Sequence, residues 1–523
     1  MELNTTSTRP TLGIMEFQTF SGLAHTLQTA AVAALIFAVC ACIPKLTYRA
    51  KLASLPTLGQ SNSGEKHRQN YLSSAKSIYK EGYQKFKDCV FLVKTSDGED
   101  CVVIPPALLQ ELRKLPDDVL SFPKAIDRGM ETKYTKLIAE SNLVAHTIKS
   151  DLTPALTRLN PTICGEVDVA MKHHLPECED WTEVSINNKL IDIVARVSGR
   201  VFVGPDLCQA PEYLECGSKY TVFLIEAVRA IKQITPWLRP ILVPRLPEIH
   251  RLRDMEARAA RFLQPIVRER MEAQKNDPNW QKPDDMLQWL MDRSSEDGTS
   301  TVESLAKLQL GLIFAAIHTT TMSATNMLYT LAVTPEYIQP LREEIRAAMA
   351  EADGIITSRA LQQMEKLDSY MKEVMRLWPP GITSFGRRVL KGITLSNGQH
   401  IPPGVMIEVP SHAIYSDSAY YPDGDTFDGF RHYKLRRGGA AADHARNQFV
   451  TTNDTNLAFG YGRHACPGRF FAANEIKMIL ARLILDFDVK MPGDAKERYK
   501  QMEHGKQNTP HPGKTLMLKR VVV

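Results

Sequence analysis

The 523-residue chain contains no CxxC pair, and none of its nine cysteines stands at the Cys/His spacing of a zinc site. Cys40, Cys42, Cys89, Cys101, Cys164, Cys178, Cys208, Cys216 and Cys466 are scattered and odd in number. That argues against a disulfide scaffold and fits a reducing compartment. There is no long run of like charge, no internal repeat and no low-complexity block. The formal charge of +5 is too weak a bias for a nucleic-acid binder, although it suits an acidic protein partner or an anionic membrane surface. With 43% hydrophobic and 24% charged residues the chain is globular rather than disordered, and no stretch reads as a linker between independent domains.

A basic leader is missing too. Glu2 and Glu16 accompany only Arg9 ahead of one uncharged apolar run, Leu27–Ile43, "LQTAAVAALIFAVCACI". Without a basic n-region this run does not read as a cleaved signal peptide. Lys45, Arg49 and Lys51 follow it closely, which predicts a membrane anchor with the body on the cytosolic side. The expected layout is a short lumenal N-terminus over 1–26, carrying the sequon Asn4-Thr5-Thr6. A transmembrane anchor over 27–43 and a basic stop and linker over 44–65, with a turn at Leu55–Gly59, lead into one catalytic domain over 66–523.

Helical patterns dominate that body, so the expected fold class is mainly α with a minor β portion. Strand-like pieces are short: Cys101–Pro106, Val405–Pro410, and Gly392–Gly404, where Asn397-Gly398 signals a hairpin. Gln274–Asp285 and Arg436–Gln448 read as surface loops. A capping box at Ser300 and Glu303 opens a helix over Leu305–Val333 that is apolar nearly all round and ends at Thr334-Pro335. A helix with no polar face belongs in the middle of a large protein. A polar patch within it, "AAIHTTT" (Ala315–Thr321), places hydroxyls where they can bond back to i−4 carbonyls, so a structural kink is one reading of it. A second helix, Leu367–Trp378, stops at Pro379-Pro380. Glu373 and Arg376 lie three residues apart on one of its faces. At a surface they would be a weak ion pair; in a core they need further partners, and Arg431 in "FDGFR" is the candidate.

The most unusual stretch is "FGYGRHACPG", Phe459–Gly468. Gly460 and Gly462 permit a tight loop whose backbone can approach a flat ligand. Pro467 suits the first turn of the amphipathic helix expected over Arg469–Phe487. That puts Cys466 at a helix N-terminus, where the dipole and free N–H groups favour a thiolate. A thiolate beneath a planar group is what haem iron takes on its proximal side.

The stretch resembles the haem-binding loop of the cytochrome P-450 superfamily, Phe-Gly-x-Gly-x-(Arg/His)-x-Cys-x-Gly, and meets every fixed position. Ala315–Thr321 is similar to that family's oxygen-activating stretch, Glu373 and Arg376 to its ExxR pair, and Arg431 to the arginine completing the triad. The resemblance implies the cytochrome P-450 fold, haem b with Cys466 as axial ligand to the iron, and Phe459 beside the sulfur. It also implies His464 and Arg388, or neighbouring Arg387, on the haem propionates, and Thr319 in oxygen activation. Two positions depart from the pattern. Ala145 and Lys149 stand where the family has Trp-x-x-x-Arg, which leaves Lys149 as the propionate candidate there. His318 stands where many relatives have an acid, and it either relays protons or simply packs.

The implied activity is a monooxygenase using O2 and electrons from NADPH through a separate reductase, NADPH-cytochrome P-450 reductase, with cytochrome b5 as a further partner. The expected place is the endoplasmic reticulum membrane, and no nucleic-acid role is expected. The wording around His318, Lys85–Asp88 and Cys466 resembles fungal terpenoid-tailoring enzymes such as ent-kaurene oxidase. An apolar terpenoid or meroterpenoid substrate is therefore expected; an alkaloid or polyketide is the alternative. A haem-dependent isomerase or dehydratase tends to lose the Thr319 apparatus, and a haem sensor would not need it.

Overall fold

The apolar rod expected over 305–333 is a 30-residue helix, Val302–Leu331, in the computed structural model, which describes residues 13–58, 64–138, 142–296 and 301–521. Its cap is Thr301, whose hydroxyl accepts the Ser304 N–H at 3.1 Å. Ser300 of the expected capping box lies outside the described residues, as does the sequon at Asn4. Along the rod, Thr319, Ser323, Thr325 and Thr330 each donate to the carbonyl four residues back, which is how hydroxyls are tolerated in so apolar a place.

Among the described residues, eight other helices of 13 residues or more accompany it. They are α1 (Gly13–Ala53), α2 (Gly64–Lys85), α3 (Thr153–His174), α4 (Ile186–Phe202), α5 (Pro211–Gln233) and α6 (Pro247–Asn276), then the rod itself as α7, α8 (Glu365–Leu377) and α9 (Arg469–Asp486). α4, α5 and α6 pack against α7. On α5, a Cβ at Gly217 would come within 3.0 Å of Ile317 Cδ1 and Ala195 Cβ, so glycine is what lets these helices approach.

Short strands build a six-stranded sheet from β1 (Thr57–Leu58), β2 (Phe91–Lys94), β3 (Asp100–Val103), β4 (Leu120–Ser121), β5 (Ser384–Val389) and β6 (Met406–Val409). Their order is β1-β2-β3-β6-β5-β4, with β1–β2 and β3–β6 parallel and the other pairs antiparallel. The expected hairpin forms, pairing Ile393 with Ile401 around Gly398 at φ +82°. A three-stranded sheet joins Thr182–Val184 to Phe487–Lys490 and Leu516–Arg520, and Met502–His504 pairs with Gln507–Thr509.

The structure corrects one expectation about segments. Arg436–Gln448 is not a plain loop, because it holds the end of one short helix, Arg431–Gly438, and all of another, Ala441–Arg446. The alanines at 440–442 favour helix, and the Asp443 carboxylate accepts the Ala440 N–H at 3.0 Å. At the N-terminus, 27–43 is part of the much longer α1. Among the described residues no helix is long and apolar enough to cross a membrane. The apolar run itself has 17 residues, at the short end of the roughly 17–25 that can span a bilayer. Leu27, Leu35, Ile36, Phe37 and Ile43 nevertheless stand exposed on α1.

Candidate active site

A cavity of about 470 Å³ lies between α7 and the Phe459–Gly468 loop, and Cys466 lines it. The loop is made by two glycines in left-handed backbone, Gly460 at φ +73° and Gly462 at φ +72°. A Cβ at Gly462 would also meet Arg113 Cβ at 3.3 Å. The Cys466 N–H closes the loop by donating to Phe459 O at 2.7 Å. Helix α9 begins at Arg469, so Cys466 and Pro467 stand just ahead of it rather than in its first turn. Burial pushes the thiol up, against the Gly468 and Arg469 N–H groups and the Arg469 charge, which favour the thiolate.

Across the cavity α7 contributes Leu312, Ala315, Ala316, Thr319, Thr320 and Ser323 to the wall. Thr319 Oγ1 donates to Ala315 O at 2.7 Å. His318 is not part of the lining: its Nε2 meets Ser218 O on α5 at 3.2 Å. Burial lowers its pKa, a shift the Ser218 contact only partly opposes. The structure therefore places His318 among packing contacts between α7 and α5, away from the cavity, which corrects its candidacy as a catalytic residue.

The propionate candidates sort by strand phase. Arg387 shares the buried face of β5 with Phe385 and Val389 and lines the cavity. Arg388 points to the opposite, part-exposed face and is absent from the lining, which corrects the preference for it. Arg387 is 4% exposed and stacks over Phe122 and Phe385, at 5.1 and 4.2 Å from the ring centres. Its guanidinium donates to Gly386 O, and no carboxylate forms an ion pair with it among the described residues. Burial pushes it down to about 10, with Asp117 opposing. A buried cation lacking an ion-pair partner, lining the same cavity as a cysteine, is the fit expected for a planar iron cofactor bearing carboxylates.

His464 also lines the cavity, with Nε2 held by Asp117 Oδ1 at 2.6 Å and its ring stacked on Phe122 at 5.2 Å. Lys149 is corrected as well. It falls in a π-helical turn, Ile148–Leu152, that sends Ile148 and Leu152 to the cavity and leaves Lys149 exposed.

Behind the cavity the predicted ion-pair cluster assembles in full. Glu373 is 0% exposed and receives Arg376 Nη2 at 2.7 Å and Nε at 2.8 Å, together with Arg431 Nε at 3.1 Å. Arg376 goes on to Tyr415 O and Gly424 O, and Arg431 to Pro422 O, so the remaining donors are satisfied by the loop they pin. His432 Nε2, unforeseen in the sequence, stands 3.4 Å from Glu373 Oε2.

A second ion pair, with its carboxylate buried, braces the cavity wall over Pro379–Thr383. Glu408 on β6 accepts Lys506 Nζ at 2.7 Å and Thr383 Oγ1 at 3.2 Å, while Lys506 O takes the Ile382 N–H at 3.0 Å. Phe122, Asp117 and Glu408 carry no sequence motif. Only the fold brings them to the site.

A family model for cytochrome P450 matches residues 139–517. Cytochrome P450 monooxygenase TES1 of Alternaria alternata is 41% identical over 502 residues, covering 95% of this chain and 94% of that relative. Cytochrome P450 monooxygenase ATR3 of Stachybotrys chlorohalonatus is 38% identical, covering 80% of this chain and 89% of its own length. Cytochrome P450 monooxygenase paxP of Penicillium paxilli is 35% identical, covering 91% and 92%. With the cysteine loop, the buried Glu373 cluster and the threonine-lined cavity in one molecule, these matches place the chain in the cytochrome P450 family, as a monooxygenase.

Proposed function

We propose that the chain is a tailoring monooxygenase that oxidises a bulky, largely apolar secondary metabolite, a terpenoid or meroterpenoid, with Cys466 as the axial ligand of haem iron. The observation that carries the proposal is the cavity itself, walled by Leu312, Ala315, Ala316, Phe202 and Ile148 around Thr319 and Cys466. Haem held there by Cys466 supplies the activation of O2, with electrons from NADPH through a separate reductase assisted by cytochrome b5. The protein's part is to bind that group through Cys466, Arg387 and His464, to keep water out with apolar walls, and to hold the Thr319 hydroxyl where a proton is needed.

The body over 66–523 acts as one catalytic unit. Helix α1 attaches it to the cytosolic face of the endoplasmic reticulum. Support for that attachment comes from the exposed apolar side chains on α1 and from Lys45, Arg49 and Lys51 behind them.

Microsomes containing the chain and a reductase test both halves. Added terpenoids should give a substrate-induced Soret shift and NADPH-dependent oxygenated products, and outside protease should digest the body. Tight binding confined to an amino acid or a sugar, or a body shielded inside the vesicles, would count against the proposal.

Product formed per NADPH separates Thr319 from His318. General acid assistance contributes about 10²–10⁴-fold, so Thr319→Ala should keep haem while diverting reductant to hydrogen peroxide. His318→Phe should remain coupled, and His318→Asp should be the damaging change because it buries a carboxylate against a carbonyl. Full coupling in Thr319→Ala, or uncoupling in His318→Phe, would reverse these assignments.

A further inference from the structure

The backbone of Arg446–Val450, just before the cysteine loop, is gripped by side chains from two long helices. Asp368 on α8 accepts the Phe449 N–H at 2.9 Å. The same carboxylate takes Lys477 Nζ of α9 at 2.8 Å and a short bond from Arg436. Lys372, one turn along α8, donates to Gln448 O at 2.9 Å and Arg446 O at 3.1 Å. Arg469 at the start of α9 donates to Val450 O at 3.2 Å and to Cys466 O at 2.9 Å.

What the gripped segment presents is the ring of Phe449. It is 2% exposed and meets Phe459 edge-on, with ring centres 5.2 Å apart at 80°. Phe459 in turn lines the cavity with Cys466 and accepts its N–H. A continuous set of contacts therefore runs from Asp368 and Lys372 through two rings to the cysteine loop.

Packing alone does not account for this. A buried carboxylate held by two cations is costly to desolvate, and an apolar contact would stabilise the segment about as well. Lys477 and Arg436 hold the Asp368 carboxyl below its usual range despite burial, and burial pushes Lys372 down to about 7. Such polar groups fix one geometry, and the geometry they fix here is the angle of an aromatic ring.

We propose that Phe449 is a positioning residue for the Cys466 sulfur: clamped by Asp368 and Lys372, its ring holds Phe459 as a dry cover over the thiolate and so sets the reduction potential of the iron bound there. This rests on the reading of Cys466 as a haem ligand. The apolar shell and the hydrogen bonds at a ligating sulfur are levers on that potential. One-electron reduction adds negative charge at the centre, so a loosened cover that admits water to the sulfur favours the reduced state and raises the potential.

The test is spectroelectrochemical titration of the haem-loaded protein. Phe449→Leu keeps most of the volume and removes the edge contact. It should retain the wild-type Soret position with carbon monoxide while raising the ferrous-to-ferric ratio at a fixed applied potential by about tenfold, ~59 mV for one electron. Lys372→Met releases the 446 and 448 carbonyls without touching a ring and should shift the potential the same way by less; Lys372→Arg should return it towards wild type.

Unchanged potentials in loaded Phe449→Leu and Lys372→Met would overturn the proposal. So would unchanged potentials with slower reduction by the reductase, which would make the clamp part of the docking surface. If Phe449→Leu does not load haem, Lys372→Met decides. A wild-type protein without the thiolate Soret band would overturn the reading of Cys466 as well, whereas a normal band with unmoved potentials sinks this inference alone.

Discussion

Glu373→Gln is expected to yield little soluble, haem-loaded protein. The substitution keeps the shape of the side chain but leaves Arg376 and Arg431 as charges without a counter-ion at a site that is 0% exposed. Removing one partner of a buried ion pair costs about 3–5 kcal/mol. That is a large part of the ~5–15 kcal/mol by which a folded protein is stable. The damage should spread, because Arg376 and Arg431 between them hold Tyr415 O, Gly424 O, Thr426 O and Pro422 O, and Tyr415 lines the cavity.

Arg376 and His432 outweigh burial and hold the Glu373 carboxyl well below the usual carboxylate range. Its contribution is therefore fully present above the unfolded value of about 4.3 and is lost only as pH falls towards the lower folded value. The Gln variant should lack that acid-side component. Soluble yield, haem per chain and an acid-unfolding curve check all of this. A well-folded, haem-loaded Glu373→Gln protein with normal activity would contradict the account of the cluster.

Cys466→Ala is expected to fail differently. The cysteine is the only thiol lining the cavity among the described residues. Its removal should abolish the thiolate spectrum and all turnover with NADPH and reductase. Folding should survive, because the contact that closes the loop is the backbone bond from residue 466 N to Phe459 O, which alanine keeps. Gly460 and Gly462 still supply the left-handed turns. Circular dichroism close to wild type, with haem lost or bound without thiolate character, is the expected pair of results. Retained activity in this variant would remove Cys466 from the site.

The two variants also show what the sequence made legible. The cysteine loop and the Glu373–Arg376 pair are local patterns, with spacing fixed by a turn and by helix periodicity, and both stand where the sequence puts them. Arg431 is remote but sits in a short motif of its own. The misassignments share a cause. Arg387 rather than Arg388 faces the cavity because of strand phase, and that phase is set by pairing with β6 and β4 far along the chain. Lys149 falls in a π-helical turn, which changes which side chains face inward. His318 reads as functional because it sits beside Thr319, yet adjacent residues on a helix point about 100° apart. Asp117, Phe122, Glu408 and Phe449 reach the site through contacts between distant segments, which no local pattern encodes.

The most direct measurement of the central claim is the difference spectrum of the dithionite-reduced, carbon monoxide-bound wild-type protein. If Cys466 holds haem iron as a thiolate, the Soret band appears at the strongly red-shifted position of a thiolate-ligated haem, and Cys466→Ala lacks it. A folded wild-type protein that binds no haem, or that binds it with an unshifted Soret band, would contradict the account.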